Sequence, residues 1–397
     1  MNENRLWSRD FILTSLINFM MVLIFYMLVV VIAGYAVTAL HASKAEAGLI
    51  SGLFIVGTLI GRFMIGQFTH ILGRQKTLWL GLTGFSISAG LYFIASSSDF
   101  LLAVRFIHGF SFGLASSILG AIIAQVIPVT RRGEGIGYYS LSSTLGTAVG
   151  PLLGIYLTLH ASYQWIFSLS MIIALICLGI SFLIKIPALP EKNLDVDEAI
   201  KKPSFLQNFI EVKAVPIAIV VFIASICYSS VLSFINFYAQ ELQLEKSAAL
   251  FFLVYSIAIL ASRPFTGKLM DQKGENVVMY PALFILALAL LLLSVVQHGS
   301  LLLICGALLG LGFGNMQSIA QAIAVKSTSL ERMGLATSTF FIALDAGLGF
   351  GPFILGFVLN HISYAQMYFY SAWIALACIA LYFVLHGRHA RVKAIQA

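Results

Sequence analysis

The stretch that decides the fold is GYYSLSSTLGTAVGPLLG, residues 137–154, inside an apolar run from about 133 to 160. Small residues recur along it at every fourth position, at Ser142, Gly146, Gly150 and Gly154. On a helix they form one stripe with almost no side chains. Between membrane helices such a stripe permits close backbone contact, because lipid provides no hydrophobic drive for association. Pro151 removes a backbone donor and bends the helix at the same depth.

The same pattern of small residues and a proline recurs half a chain later. Gly351 and Pro352 stand 201 positions after Gly150 and Pro151, and Ala343 and Gly347 extend the second stripe. The same offset pairs Arg62 with Arg263, Gly66 with Gly267, Gly73 with Gly274, Gly109 with Gly310, Gly113 with Gly314, Arg131 with Arg332, and Gly133 with Gly334. The sequence therefore predicts two six-helix halves related by a parallel repeat, with a binding site between them near the midplane.

The composition is that of an integral membrane protein. Of the 397 residues, 60% are hydrophobic and only 10% are charged, and the mean hydropathy is +0.96. These values lie far outside those of soluble domains. We attribute the net charge of +7 to basic residues that set the membrane topology, and we expect no nucleic-acid partner. The four cysteines (Cys177, Cys227, Cys305 and Cys378) lie in apolar runs without paired spacing, so neither disulfides nor a metal site are expected.

Twelve apolar runs are long enough to cross a bilayer. They cover about 11–39, 46–69, 77–96, 100–127, 134–160, 164–186, 214–240, 247–270, 277–297, 300–325, 334–359 and 364–386. The first run is too long for a cleaved signal peptide. The prediction is an all-α membrane protein with an N-terminal six-helix bundle (1–186), a cytoplasmic linker (187–213) and a C-terminal six-helix bundle (214–397).

The distribution of basic residues predicts the orientation. If the N-terminus is inside, eighteen lysines and arginines fall in inner segments, and two, Lys44 and Lys246, fall in outer loops. By the positive-inside rule both termini are cytoplasmic. We expect a monomer in the cell membrane.

Two loops carry the first motif. One contains Gly66, His70, Gly73 and Arg74, and its repeat partner contains Gly267, Asp271 and Gly274. A short turn with glycines at both ends and charges at the membrane surface can hold two helix ends together. The pattern resembles the loop signature of the major facilitator superfamily, Gly-x-Leu-x-Asp-x-x-Gly-Arg-Lys. His70 replaces the family aspartate in the first copy, which puts a charge latch there in doubt. The alternative is a basic turn that only sets topology.

The fourth span places Arg105, His108, Phe112 and Ser116 on one helical face. Leu101-x-x-x-Arg105-x-x-His108-Gly109 resembles the fourth-helix motif of the same superfamily, with His108 in place of glutamine. An arginine within a span pairs with polar groups or faces an aqueous cavity. We expect Arg105 and His108 to take part in proton coupling; the alternative is snorkelling of Arg105 to the outer surface.

The opening stretch resembles the fifth-helix signature that marks exporters working as antiporters in this superfamily, with Ile155 in place of its final glycine. Such a stripe allows the two halves to rock while the closed interface stays tight. The alternative is ordinary close packing without bearing on transport direction.

Asp345 is the one acidic residue among sixteen that lies near the middle of a predicted span. It shares a face with Thr337 and Phe341, roughly opposite Gly347. A carboxyl group in a low-dielectric site can hold or release a proton as water access changes. Asp345 is therefore the predicted proton-coupling residue. A structural hydrogen bond to a neighbouring serine or tyrosine is the alternative.

Uncharged polar and aromatic residues complete the predicted site. The candidates for substrate binding are Asn18, Tyr26, Phe112, Tyr228, Asn236, Tyr255, Asn315, Gln317 and Phe341, with Gln321 on the face of Gln317. Each can also serve as polar contact between helices. Together they suggest an aromatic-lined pocket for amphipathic organic molecules.

The resemblance implies a secondary transporter that exports small organic compounds in exchange for protons by alternating access. No nucleotide-binding signature occurs, so ATP drive is not expected, and neither a cofactor nor catalytic residues are predicted. The alternatives are an importer or a lipid or metabolite flippase on the same fold, and an integral-membrane enzyme. The metalloprotease motif His-Glu-x-x-His does not occur in the sequence.

Overall fold

A computed structural model describes residues 6–42, 44–186, 209–329, 332–359, 361–388 and 390. These residues contain helices and no strand. The helices are α1 (Arg9–Ala39), α2 (Lys44–Phe63), α3 (Ile65–Leu91), α4 (Ser98–Val126), α5 (Arg132–His160), α6 (Tyr163–Ser181), α7 (Val215–Glu241), α8 (Glu245–Lys273), α9 (Asn276–Leu293), α10 (Gly299–Leu309), α11 (Asn315–Lys326), α12 (Met333–Val358) and α13 (Tyr364–Tyr382). Of the predicted linker 187–213, only residues 209–213 are described.

Eleven helical segments of the described chain are long and apolar enough to cross a membrane, and Leu49–Phe63 within α2 is a shorter apolar helix. Helices α10 and α11 form one such segment, because a π-helical turn, Gly310–Gly314, joins them. Helical hydrogen bonds continue across Met64, so α2 runs on into the first residues of α3 until Gly73 breaks the helix. The second predicted span, 46–69, is this continuous stretch. The all-helical fold class is confirmed.

Local sequence explains where several helices begin and bend. Ser8 accepts a hydrogen bond from the Phe11 amide at the start of α1, and Ser97 does the same for Phe100 at the start of α4. Ser363 and Gln366 form a capping box at the start of α13. Prolines lie inside α5, α8, α9 and α12, where they remove helical hydrogen bonds.

The chain divides into two compact units. The first consists of Met1–Pro128, Leu145–Lys213 and Val325–Thr339, and the second of Val129–Thr144, Ala214–Ala324 and Phe340–Ala397. The beginning of α5 therefore packs with the C-terminal helices, and the beginning of α12 packs with the N-terminal helices. The division into bundles 1–186 and 214–397 stays a prediction.

Glycines set the closest helix contacts in the first unit. A methyl group added at Gly57 or Gly61 of α2, or at Gly109 or Gly113 of α4, would overlap a backbone carbonyl oxygen of the facing helix. The Thr58 hydroxyl donates across this contact to the Gly109 carbonyl at 3.1 Å. The α2–α4 pair is thus held at a separation that no larger residue permits.

The glycine stripe of α5 packs against α1 of the same unit. A methyl group at Gly146 would lie 2.8 Å from Val22 Cγ1, and one at Gly150 would lie 2.8 Å from the Leu23 carbonyl oxygen. In the second unit, Gly347 of α12 meets α7 in the same way, with the Phe222 carbonyl at 2.6 Å from such a methyl group. The stripe is thus a site of close packing between helices. The helix packed on it belongs to the same half, whereas the spacing of the glycines predicts a contact between the two halves.

Candidate functional site

Arg105 and His108 form a buried cluster in the first unit, and both side chains are 0% exposed. Arg105 donates from Nε to the Ile50 carbonyl at 3.2 Å and from one terminal nitrogen to the Tyr92 hydroxyl at 3.3 Å. The Tyr92 hydroxyl also lies 2.9 Å from His108 Nδ1. The Arg105 guanidinium stacks over the Phe54 ring, 4.7 Å from its centre.

The Arg105 guanidinium donates hydrogen bonds to α2 carbonyls and to Tyr92 inside the protein. Arg105 therefore does not snorkel to the outer surface. One polar atom of the cluster is left over: His108 Nε2 is buried and has no hydrogen-bond partner. The role of Arg105 and His108 in proton coupling stays a prediction.

The other candidates of the first unit are Phe112, Asn18 and Tyr26. Phe112 is buried among Phe25, Phe54 and Phe85, with its ring centre 5.5 Å from that of Phe54. Asn18 is buried on α1, and Tyr26 is half-buried against Gly150 of α5. Phe112 is thus a core contact of α4 as much as a candidate ligand contact.

Asp345 lies in the second unit, at the centre of α12. Among the described acidic residues, it is the only one more than a turn away from a helix end. Gly347, two residues on, faces α7, so Asp345 points about 200° around the helix from that contact. Its side chain is half-buried. The orientation of Asp345 and its role in proton coupling stay predictions.

Three aromatic rings of the second unit are stacked. The ring centres of Tyr228 (α7) and Phe313 lie 3.9 Å apart at an interplanar angle of 9°, and Tyr255 (α8) stacks on Tyr228 at 5.7 Å. All three residues are buried. Tyr228 and Tyr255, predicted from separate spans, are therefore brought together in one aromatic group.

The amide candidates of the second unit are mostly engaged in helix contacts. Asn315 is buried, and its Oδ1 accepts from the Ser262 and Thr266 hydroxyls of α8 at 3.3 and 3.0 Å. Gln321 accepts from the Ser140 hydroxyl of α5 at 3.3 Å. Gln317 and Phe341 are half-buried, and the side chain of Asn236 lies outside the described residues.

Asp271 caps the beginning of α5. Its Oδ1 accepts from the Gly133 amide at 2.8 Å, and its Oδ2 accepts from the Glu134 amide at 2.9 Å. A carboxylate at a helix N-terminus satisfies orphan amides and complements the helix dipole. Gly267 lies within the same contact, since a methyl group there would meet Glu134 Cα at 2.6 Å. The second loop motif is thus a latch on α5 within the second unit.

His70, in the first copy of the loop motif, does not repeat this contact. Its side chain is exposed and makes no hydrogen bond or ion pair in the part of the chain that the structure describes. A different acid holds the beginning of α12: Glu211, which is buried, pairs with Arg332 and donates its amide to Thr339 Oγ1 at 2.9 Å. The sequence motifs do not identify Glu211. Its position three residues before a predicted span could have indicated a helix-end contact.

Arg263 is a further residue of interest that the sequence motifs identify only as the repeat partner of Arg62. Arg263 lies inside α8 and is 2% exposed. It donates to the Gly314 carbonyl at 3.0 Å, while its Nε and its other terminal nitrogen have no partner. An arginine inside a predicted span was the available signal.

No group of three metal-ligating side chains occurs among the residues placed by the structure. A groove of about 1090 Å³ opens beside Asn276, Tyr280 and Phe383, away from the predicted substrate-binding residues.

Long apolar helices that enclose buried polar clusters are typical of a polytopic membrane protein. The chain belongs to the Major Facilitator Superfamily, whose sequence pattern matches residues 14–301 and 275–396. It is therefore a transporter and not an enzyme, and the alternative of an integral-membrane enzyme is wrong.

Two relatives that align over most of the chain are named for export. The chain is 23% identical to the staphylopine export protein of Staphylococcus aureus, over 87% of this chain and 88% of that protein. It is 26% identical to the multidrug efflux protein YfmO of Bacillus subtilis, over 83% and 81% of the two chains.

Two solved structures share the fold. The human organic anion transporter MFSD10 (TETRAN) superimposes with a TM-score of 0.75 at 17% identity, covering 94% of this chain and 98% of that one. The proton:xylose symporter XylE superimposes with a TM-score of 0.72 at 14% identity, covering 95% and 96%.

Proposed function

We propose that this transporter exports small organic compounds across the cytoplasmic membrane in exchange for protons. Two six-helix bundles, 1–186 and 214–397, would give the site access to one side at a time, with both chain termini in the cytoplasm and the protein acting as a monomer. Export is supported by the fifth-helix stripe and by the relatives named for efflux.

The observation that carries proton exchange is the position of Asp345. It is the one described acid at the centre of a membrane-spanning helix, and the side of α12 that packs on α7 is the glycine side. A carboxyl group away from the packed side can meet water when the cavity opens and lose that contact when it closes. Its proton affinity then changes with conformation, which is the requirement for coupling.

Import by proton symport is the second candidate, because a proton:xylose symporter has the same fold. The two differ in the direction in which protons and substrate move. In inside-out membrane vesicles with an acidic interior, an antiporter takes up added substrate and releases protons. A symporter releases preloaded substrate together with protons.

The decisive experiment measures proton release from such vesicles on addition of amphipathic compounds. Asp345→Asn should abolish substrate-dependent proton release, whereas Asp345→Glu should retain part of it because the group still titrates. Glu245→Gln, at the exposed first residue of α8, is the matched control and should behave as wild type. Wild-type proton release by Asp345→Asn would remove that residue from coupling.

A further inference from the structure

Arg263 is a buried cation with unused hydrogen-bond donors. Only one terminal nitrogen is satisfied, by the Gly314 carbonyl, and no carboxylate pairs with it among the residues that the structure places. An unpaired charge away from water is costly, so buried cations in proteins are normally paired with an anion. The two free donors of Arg263 therefore fit a partner that is not part of the chain.

The repeat diverges at this point. Gly310–Gly314 is a π-helical turn, whereas the equivalent residues 109–113 belong to the regular helix α4. The Gly314 carbonyl accepts from Arg263, while the equivalent Gly113 carbonyl accepts from the Ser117 hydroxyl at 2.7 Å. Single π-turns within helices occur mostly at functional sites. The π-helical turn thus distinguishes the second of these two matched segments from the first.

An aromatic group lies on the same helix as this cation. Tyr255 precedes Arg263 by eight residues on α8, about 12 Å along the axis and about 80° around it. Tyr255 stacks with Tyr228, which stacks with Phe313. The beginning of α5 runs alongside, since a methyl group at Gly137 would lie 3.8 Å from Arg263 Cδ. One helix therefore carries a stacked aromatic ring and, about two turns further on, a buried cation.

We infer that Arg263 binds an anionic group of the transported compound, and that the substrates are amphipathic organic anions such as aromatic carboxylates. The inference rests on the proposed transport function. Arginine suits this role because its planar guanidinium can donate two parallel hydrogen bonds to a carboxylate. The aromatic stack of Tyr228, Tyr255 and Phe313 would take the apolar body. The α5 segment beside Arg263 would move away when the site opens.

A matched pair of probes tests the charge requirement. 1-Naphthylacetate and 1-naphthylmethylammonium share one ring system and carry opposite charges. Their binding to the purified protein in detergent is measured by ligand-dependent thermal stabilisation, without any gradient. Wild-type protein should bind the carboxylate, and Arg263→Gln should bind it about tenfold more weakly or worse, as expected for loss of charged hydrogen bonds. Binding of the ammonium probe by Arg263→Gln should stay equal or improve.

Two further variants complete the test. Arg263→Lys keeps the charge but loses the planar fork, so its loss for the carboxylate should be smaller than that of Arg263→Gln. Lys246→Gln removes an exposed basic residue of the same helix and should leave carboxylate binding as in wild type. If Arg263→Gln does not fold, a selective loss of carboxylate binding in Arg263→Lys supports the inference, and wild-type carboxylate binding by Arg263→Lys counts against it.

Three outcomes would overturn the inference: wild-type protein that does not bind the carboxylate, an Arg263→Gln protein that binds it normally, or equal weakening of both probes. Because binding is measured without a pH gradient, these outcomes are independent of whether proton exchange is found in vesicles. A protein that binds the carboxylate through Arg263 but releases no protons would refute the proposed coupling alone.

Discussion

Gly73 and Gly274, 201 positions apart, adopt the same backbone conformation. Their φ and ψ angles are 76° and 165°, and 86° and 164°, respectively. Each ends the helix that precedes it, α2 with its continuation through Met64 in one half and α8 in the other. This region of backbone space is accessible at low cost only to glycine. The two loops have therefore kept one geometry although their charged residues have diverged.

Substitution of either glycine by alanine should destabilise the fold, by about 1–3 kcal/mol, through backbone strain alone. Nothing lies within 4 Å of a methyl group at either position, so steric overlap makes no contribution. Thermal unfolding of Gly73→Ala and Gly274→Ala in detergent measures the effect. Gly179→Ala on α6 is the control, since it is equally uncrowded but has an ordinary helical conformation. Equal stability of the three variants would contradict the strain argument.

Gly150→Leu should abolish transport, because the larger side chain would force α5 away from the Leu23 carbonyl of α1. Gly150→Ala should cause a smaller defect, with overpacking costing about 1–3 kcal/mol. Substrate efflux from cells and the yield of folded protein are measured together. Gly52→Ala, on α2 with no neighbour within 4 Å, should remain active. Normal efflux by Gly150→Leu would show that close α1–α5 packing is dispensable.

Asp271→Ala should loosen the start of α5, since it removes the acceptor of both the Gly133 and the Glu134 amide. Loss of a capping carboxylate costs about 0.5–2 kcal/mol. Hydrogen exchange followed by mass spectrometry should show faster exchange in the peptide that begins α5, and Asp271→Asn should give an intermediate rate. The peptide that begins α12 is the internal control. Unchanged exchange at the start of α5 would mean that Asp271 does not hold it.

Glu211 and Arg332 should show energetic coupling in a double-mutant cycle. Glu211 is buried and its carboxylate accepts from the Arg332 guanidinium, so removal of either partner deletes a charged hydrogen bond to a buried carboxylate. Neighbouring charged residues typically couple by about 0.5–3 kcal/mol. Stability of Glu211→Gln, Arg332→Gln and the double variant gives the coupling. His70→Ala should be neutral, because the exposed His70 side chain makes no hydrogen bond, ion pair or ring contact in the described chain. Strictly additive effects would rule out the pair as a latch on α12.

The sequence alone was sufficient for the fold class. Membrane-spanning helices need about 20 apolar residues, so hydropathy locates them without knowledge of their partners. Glycines such as Gly109 and Gly150 could be identified in the same way, because their spacing on one helix is a local property. The central position of Asp345 in its helix was likewise readable from the chain.

The tertiary structure decided which groups meet. Glu211 holds the beginning of α12, a contact that His70 of the first loop motif does not make. Tyr92 joins Arg105 to His108. No spacing rule in the sequence predicts either pairing. The π-turn at Gly310–Gly314 and the unused donors of Arg263 depend on how α8 meets its neighbours. Apolar burial and helical periodicity are properties of a single segment, whereas satisfaction of a buried polar group depends on atoms contributed by distant segments.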